Sequence, residues 1–143
     1  MRILIICTHN AARSVMLEGY LKQLKPIWKI YSAGTQPSDK VNPLAVKVMA
    51  EDSINISAHK PAHVSNFLNQ SFDYVITVCD EANNECPTFS GDIKNILYIP
   101  FQDPSKISGN EEKKLEIFRK IRDQIKEFAY SFIKKSSSRT FNI

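Results

Sequence analysis

The sequence opens with the stretch ILIICTHNAARS over residues 3–14, and this stretch decides the fold. Four consecutive apolar residues lead into Cys7, and five residues separate Cys7 from Arg13. The apolar run is typical of a buried strand, and the residues after Arg13 repeat apolar side chains at helical spacing. We therefore predict a strand, a loop and a helix, with Cys7 and Arg13 at the two ends of the loop.

The predicted loop has the composition needed to bind a tetrahedral oxyanion. Backbone N–H groups and the positive end of a helix dipole attract an anion, and the Arg13 guanidinium can donate two parallel hydrogen bonds. The same surroundings favour the thiolate of Cys7, which is the nucleophilic form of a cysteine. The alternative is an ordinary buried cysteine beside a surface arginine. The predicted oxyanion-binding residues are Thr8, His9, Asn10, Ala11, Ala12 and Arg13.

Strand-like and helix-like runs alternate along the chain. The predicted strands are 3–7, 28–32, 73–79 and 96–100, and the predicted helices are 14–24, 42–51, 63–70 and 111–135. This alternation predicts an α/β fold with an open, doubly wound, four-stranded parallel sheet flanked by helices. The Cys-x5-Arg-Ser spacing resembles the low-molecular-weight phosphotyrosine phosphatase fold, which implies the same architecture. We assign residues 1–135 to a single catalytic domain and residues 136–143 to a flexible tail.

Composition excludes several classes of protein. The chain has 143 residues, 43% of them hydrophobic, and no apolar run approaches the roughly 20 residues of a membrane-spanning helix. The net charge of +4 comes without a nucleic-acid motif, and no signal-peptide pattern is present. Three cysteines without close pairing indicate neither a disulfide framework nor a zinc site. We expect a cytoplasmic monomer that binds neither membrane nor nucleic acid and holds no metal.

Three chemically useful side chains follow predicted strands. Cys7, Cys79 and Asp103 each lie at or just beyond the carboxyl end of a strand, where ligands bind in doubly wound sheets. The residues between Cys79 and Cys86 are polar or small and suit a short helix. On an intact helix these two cysteines would lie about 10 Å apart along the axis, too far for a disulfide, so a bond between them requires unwinding.

The three cysteines together with Asp103-Pro104 resemble the thioredoxin-coupled arsenate reductases built on this phosphatase fold. The similar stretches include Val75 to Cys79, Cys86-Pro87, Phe101 to Pro104 and Arg119 to Asp123, and the similarity covers about residues 1–133. The resemblance implies that Cys7 attacks arsenate, that Cys79 then attacks the Cys7 sulfur, and that Cys86 takes over the disulfide for thioredoxin or a similar reductant. It also implies that Arg13 holds the oxyanion, Ser14 hydrogen-bonds the thiolate and Asp103 is the general acid.

The resemblance extends incompletely to a cation site. Some family members bind potassium through an asparagine, a glutamate, a serine and an aspartate. Asn10, Glu18 and Ser32 match the first three, whereas Ala62 stands at the aspartate's place. No tightly bound cofactor is expected, and potassium remains only a doubtful ligand on this pattern.

Two further functions stay open on the sequence. The first is a low-molecular-weight protein tyrosine phosphatase that hydrolyses phosphotyrosine through a phosphocysteine on Cys7. Against it, Ser105-Lys106-Ile107 follows Asp-Pro and offers no aromatic wall for a phosphotyrosine ring. The second is a non-catalytic anion-binding domain, against which the combination of Cys7, Arg13 and Asp103 argues. Weak phosphatase activity is compatible with the reductase, because phosphate and arsenate share shape and charge.

Overall fold

The computed structural model describes the backbone of residues 1–80 and 87–141 and the side chains as far as residue 136. Its strands are β1 (Arg2–Cys7), β2 (Lys29–Gly34), β3 (Phe72–Thr77) and β4 (Ile93–Tyr98). Its α-helices are α1 (Arg13–Leu24), α2 (Pro43–Glu51) and α3 (Glu111–Phe141), and Val64–Phe67 and Pro104–Lys106 are single 3₁₀ turns. No helix in the described ranges is both long enough and apolar enough to cross a bilayer.

The four strands form one parallel sheet in the order β2-β1-β3-β4, which confirms the predicted fold class. Alternate residues of β1 face opposite sides. Ile3 and Ile5 pack with α1, α2 and α3, whereas Leu4 and Ile6 pack with Val64 on the other face. From β1 the chain passes to β2 on one side, and it then crosses to β3 and β4 on the other side of β1. This switch point, at the carboxyl ends of the two central strands, is where a ligand site is expected.

Local chemistry explains where the helices begin. Asn42 caps α2, with Pro43 as the first helical residue, and the Asn42 Oδ1 accepts from the Leu44 N–H at 2.8 Å. The predicted helix over 63–70 is instead the single turn Val64–Phe67, which begins where the His63 Nδ1 accepts from the Ser65 N–H at 3.0 Å.

The ends of β2 and β3 each differ by two residues from the prediction, and the boundaries of β4 and α3 differ by more. Strand β4 spans Ile93–Tyr98 rather than 96–100, because its register with β3 begins at Phe72 opposite Ile93. Polar residues occupy its first half, since an edge strand faces solvent. Helix α3 continues beyond residue 135 as far as Phe141, and the buried Ser136 hydroxyl donates to the Phe132 carbonyl at 3.0 Å. The domain assignment and the flexibility of the tail stay predictions.

Candidate active site

The loop between β1 and α1 lies at the switch point of the sheet. Four of its carbonyl groups accept hydrogen bonds from the N–H groups of the β2–α2 connection. The pairs are Thr35 to Cys7 (3.2 Å), Gln36 to Thr8 (2.8 Å), Ser38 to His9 (2.9 Å) and Asn42 to Ala11 (2.8 Å). In a planar trans peptide the C=O and the following N–H point in opposite directions. The N–H groups of residues 8, 9, 10 and 12 therefore point toward the inside of the loop, as oxyanion binding requires.

Close packing against β2 fixes the same loop. A Cβ atom at Gly34 would lie 2.5 Å from the Thr8 carbonyl oxygen and 3.1 Å from the Asn10 nitrogen. Only glycine allows this approach, because a side chain would push the loop away from the strand.

Asn10 organises the loop from inside. It has a φ of 50°, in the left-handed region that asparagine tolerates, and its side chain is fully buried. Its Nδ2 donates to the hydroxyls of Ser14 and Ser32, both at 2.9 Å, and its Oδ1 accepts from the Ala62 N–H at 3.0 Å. The Ser14 oxygen thus accepts from Asn10, which leaves the Ser14 hydroxyl proton for another acceptor.

Arg13 is the buried cation of the site, with 2% of its side chain exposed. Its Nη1 donates to the Phe101 carbonyl at 3.0 Å and to the Asp80 Oδ1 at 2.9 Å. Its Nη2 lies 3.6 Å from the Asp103 Oδ2. Acceptors within the protein therefore engage both Nη1 protons.

Cys7, Arg13 and Asp103 line one cavity of about 180 Å³, although they are far apart in the sequence. Asp103 is buried, and its Oδ1 accepts from the Ser105 N–H at 3.0 Å and from the Ser105 hydroxyl at 2.7 Å. These bonds fix one carboxylate oxygen and aim the other at Arg13. The cavity therefore holds a thiol, a guanidinium and a carboxyl group.

The second cysteine lies beside the first. Ile6 pairs with Thr77, and the Val78 N–H donates to the Ile6 carbonyl at 2.9 Å, so Cys7 is beside Val78 and Cys79 is one residue further. The two cysteines therefore lie at, or just beyond, the carboxyl ends of neighbouring strands. Both cysteines are buried. Cys86 and the predicted helix before it lie outside the described residues.

His59 is a site residue that the sequence analysis missed. No spacing pattern in the sequence marks His59 or His63 as buried, and His63 is exposed. The His59 side chain, however, is only 16% exposed, and its Nε2 lies 2.9 Å from the Asn10 Oδ1. Because that oxygen is an acceptor, Nε2 carries the proton. No local pattern could reveal this contact, since the two residues are 49 positions apart.

The residues matched to a potassium site do not fit the ion. The Asn10 Oδ1 is turned toward the Ala62 N–H and the His59 Nε2, and both are donors. The Ser32 hydroxyl donates to the Glu18 carboxylate, which also pairs with the Lys22 ammonium at 2.6 Å. These oxygens face hydrogen-bond donors instead of converging on a cation. The described residues also contain no group of three or more His, Cys, Asp and Glu side chains able to hold a metal ion.

We expect His59 to make stability depend on pH. Burial lowers the pKa of His59, partly offset by the Glu18 carboxylate, and Lys22 lowers it further. As pH falls, the His59 side chain is therefore protonated in the unfolded chain before it is protonated in the folded one. The stabilisation that neutral His59 contributes is lost as pH falls below the ordinary histidine pKa of about 6.5. Chemical denaturation should show the stability advantage of the wild type over His59→Gln shrinking between pH 7.5 and 5. The exposed-site control His63→Gln should keep the wild-type pH dependence, and a constant advantage for the wild type would contradict the assignment.

Comparison with known proteins agrees with this geometry. The family model described as low molecular weight phosphotyrosine protein phosphatase matches residues 2–139. An arsenate reductase of Bacillus subtilis is 39% identical over 132 residues, covering 89% of this chain and 94% of the relative. A solved arsenate reductase in the phosphate-binding state has a TM-score of 0.79 at 30% identity, covering 94% of this chain and 97% of that one.

A third similarity is to a thioredoxin-dependent arsenate reductase of Corynebacterium glutamicum. It has a TM-score of 0.61 at 28% identity, and the match covers 94% of this chain and 62% of that one. The family match spans nearly the whole chain, and the Bacillus subtilis relative and the phosphate-bound structure are also covered almost completely. The chain belongs to the low molecular weight phosphotyrosine protein phosphatase family, within which it is similar to arsenate reductases.

Proposed function

We propose that this protein reduces arsenate to arsenite through a relay of cysteines. The observation that carries the proposal is that two buried cysteines, Cys7 and Cys79, lie at or just beyond the ends of neighbouring strands. Hydrolysis needs only the first of them, whereas reduction needs a second thiol that can take over the bond. The similarity to proteins named arsenate reductase supports the same choice.

The first step forms a bond between sulfur and arsenic. The Cys7 thiolate attacks arsenate while the loop N–H groups and Arg13 hold its oxygens. One arsenate oxygen leaves as water, and Asp103 supplies a proton to it. Ser14 donates its hydroxyl proton to the thiolate and stabilises it before attack.

The second step transfers two electrons to arsenic. The Cys79 thiolate attacks the Cys7 sulfur and forms a disulfide, while the sulfur–arsenic bond breaks and its electron pair stays on arsenic. Arsenate is thereby reduced to arsenite, and the two thiols are oxidised. The protein thiols are the reductant in this step, so it uses no bound cofactor.

The third step returns Cys7 to the thiolate. Cys86 attacks the Cys79 sulfur, a Cys79–Cys86 disulfide forms, and the Cys7 thiolate leaves. A dithiol protein such as thioredoxin then reduces this disulfide and is oxidised in turn. We place the cycle in the cytoplasm, where such reductants keep thiols reduced, and propose that a monomer carries it out.

Phosphotyrosine hydrolysis is the second candidate function. The oxyanion loop and Asp103 would serve a phosphocysteine mechanism equally well, and the family model is that of a phosphatase. Ser105 and Lys106 follow Asp103-Pro104 and give that side of the cavity no aromatic surface. We therefore propose hydrolysis of small aryl phosphates as a side activity.

Paired assays test the proposal. Arsenate-dependent consumption of NADPH is measured with thioredoxin and thioredoxin reductase, beside hydrolysis of p-nitrophenyl phosphate. Sustained, arsenate-dependent consumption supports the reductase. Aryl phosphate hydrolysis without any arsenate-dependent consumption would favour the phosphatase.

Replacing Asp103 by asparagine should slow expulsion of an oxygen leaving group by about 10²- to 10⁴-fold, because the proton donor is lost. The deficit should grow as the leaving group becomes more basic. The measurement is kcat/KM for a series of aryl phosphates of differing phenol pKa. Asp123→Asn, which makes the same change at an exposed carboxylate of α3, is the matched control and should hydrolyse every member of the series like the wild type. An equal deficit across the series in Asp103→Asn would remove Asp103 from the role of acid.

A further inference from the structure

Asp80 occupies a position that the relay chemistry does not use. It directly follows Cys79, and its Oδ1 accepts from the Arg13 Nη1 at 2.9 Å. Arg13 is 2% exposed, while the Asp80 side chain is 39% exposed. The bond therefore joins the start of the segment that carries the later cysteines to the cation of the oxyanion loop.

The charge balance around Arg13 gives this contact a consequence. Two carboxylates, those of Asp80 and Asp103, approach one guanidinium. A dianionic oxyanion in the loop adds further negative charge to the same cation. Asp80 and the oxyanion thus repel each other and share the attraction of Arg13. Water screens these interactions only in part because Arg13 is buried.

We propose that Asp80 is a built-in counter-ion of Arg13, and that the Arg13–Asp80 ion pair couples oxyanion binding to the backbone of Cys79 and Asp80. The proposal rests on the proposed function to the extent that the loop binds an oxyanion. Asp80 acts through Arg13 and is a positioning residue. In the absence of an oxyanion, the pair holds Arg13 in place and keeps Asp80 against the loop.

The coupling has a direction that suits the relay. Linkage is reciprocal, so if Asp80 weakens oxyanion binding, a bound oxyanion weakens the Arg13–Asp80 pair by the same factor. The backbone next to Cys79 is then released when the loop is occupied. Occupancy is also the condition under which the Cys79 sulfur has to move toward Cys7.

Phosphate affinity tests the first half of the coupling. The variant Asp80→Asn keeps an oxygen acceptor for Nη1 and removes the charge. Calorimetric titration with inorganic phosphate should show binding tighter by about tenfold in Asp80→Asn than in the reduced wild type, within the usual range of coupling between sites. Asp123→Asn, which removes a carboxylate paired with Arg122 on α3 and 62% exposed, is the matched control and should bind like the wild type.

The outcomes separate the two proposals. If the wild type does not bind phosphate, the loop is not an oxyanion-binding loop, and the proposed function is contradicted together with the coupling. If the wild type binds phosphate and Asp80→Asn binds equally or more weakly, the coupling is overturned while the proposed function stands. A third outcome is that Asp80→Asn binds phosphate like the wild type while Asp80→Ala binds it more weakly. Asp80 would then position Arg13 by a hydrogen bond alone, and the proposed electrostatic coupling would be overturned.

Hydrogen exchange tests the reciprocal half. The backbone amides of Cys79 and Asp80 in the wild type should exchange protons faster in saturating phosphate than without it. The same two positions in Asp80→Asn should show no such phosphate dependence, because the charged pair is absent. Slower exchange of the wild-type segment in phosphate would contradict the coupling.

Discussion

Replacing Cys7 by serine is expected to abolish both arsenate reduction and aryl phosphate hydrolysis. A serine hydroxyl in this loop stays protonated and is a far weaker nucleophile than a thiolate. The loss should be about 10⁴-fold or more in kcat, the scale seen when an enzyme loses its nucleophile. The two assays are arsenate-dependent NADPH consumption and p-nitrophenyl phosphate hydrolysis.

The control for Cys7→Ser is the phosphate affinity of the same variant. The loop amides and Arg13 do not depend on the sulfur atom, so Cys7→Ser should still bind inorganic phosphate. Retained binding with lost turnover would locate the defect in nucleophilic attack. Full activity of either kind in Cys7→Ser would place the reaction elsewhere in the molecule.

Replacing Cys79 or Cys86 by serine is expected to stop repeated reduction of arsenate and to leave aryl phosphate hydrolysis largely intact. Reduction must draw two electrons from protein thiols, whereas hydrolysis needs only the nucleophile, the arginine and an acid. Each variant should therefore fall to background in the NADPH assay while keeping its kcat/KM for p-nitrophenyl phosphate within about threefold of the wild type.

The two cysteine variants should fail at different stages. Cys86→Ser can release one arsenite per chain and should then stop as a Cys7–Cys79 disulfide. Cys79→Ser should stall before the normal release, with the arsenic still bound to Cys7. Rapid quench with arsenite determination distinguishes these stages. Multiple turnovers at the wild-type rate in either variant would show that the relay does not operate.

The sequence was sufficient to predict the centre of the fold. The apolar residues before Cys7 form one continuous run, as expected of a strand buried on both faces, so β1 was predictable within one residue. The loop and α1 followed from the Cys-x5-Arg spacing, and Asn42-Pro43 marked the start of α2. These signals are local, and local signals can be read from a single chain.

What could not be predicted depends on contacts between distant residues. Strand β4 is an edge strand whose ends are set by register with β3, and its polar half does not read as a strand. The contact of His59 with Asn10 and that of Asp80 with Arg13 span 49 and 67 positions. Neither involves a periodic pattern, so only the folded structure reveals them.

The most direct test of the relay is to map disulfides after one turnover of the reduced wild type. The enzyme receives one equivalent of arsenate without thioredoxin, the thiols are then blocked, and the peptides and arsenite are quantified. The relay predicts about one arsenite per chain, a Cys79–Cys86 disulfide and Cys7 recovered as a thiol. Arsenite formed without any disulfide among these cysteines, or no arsenite at all, would contradict it.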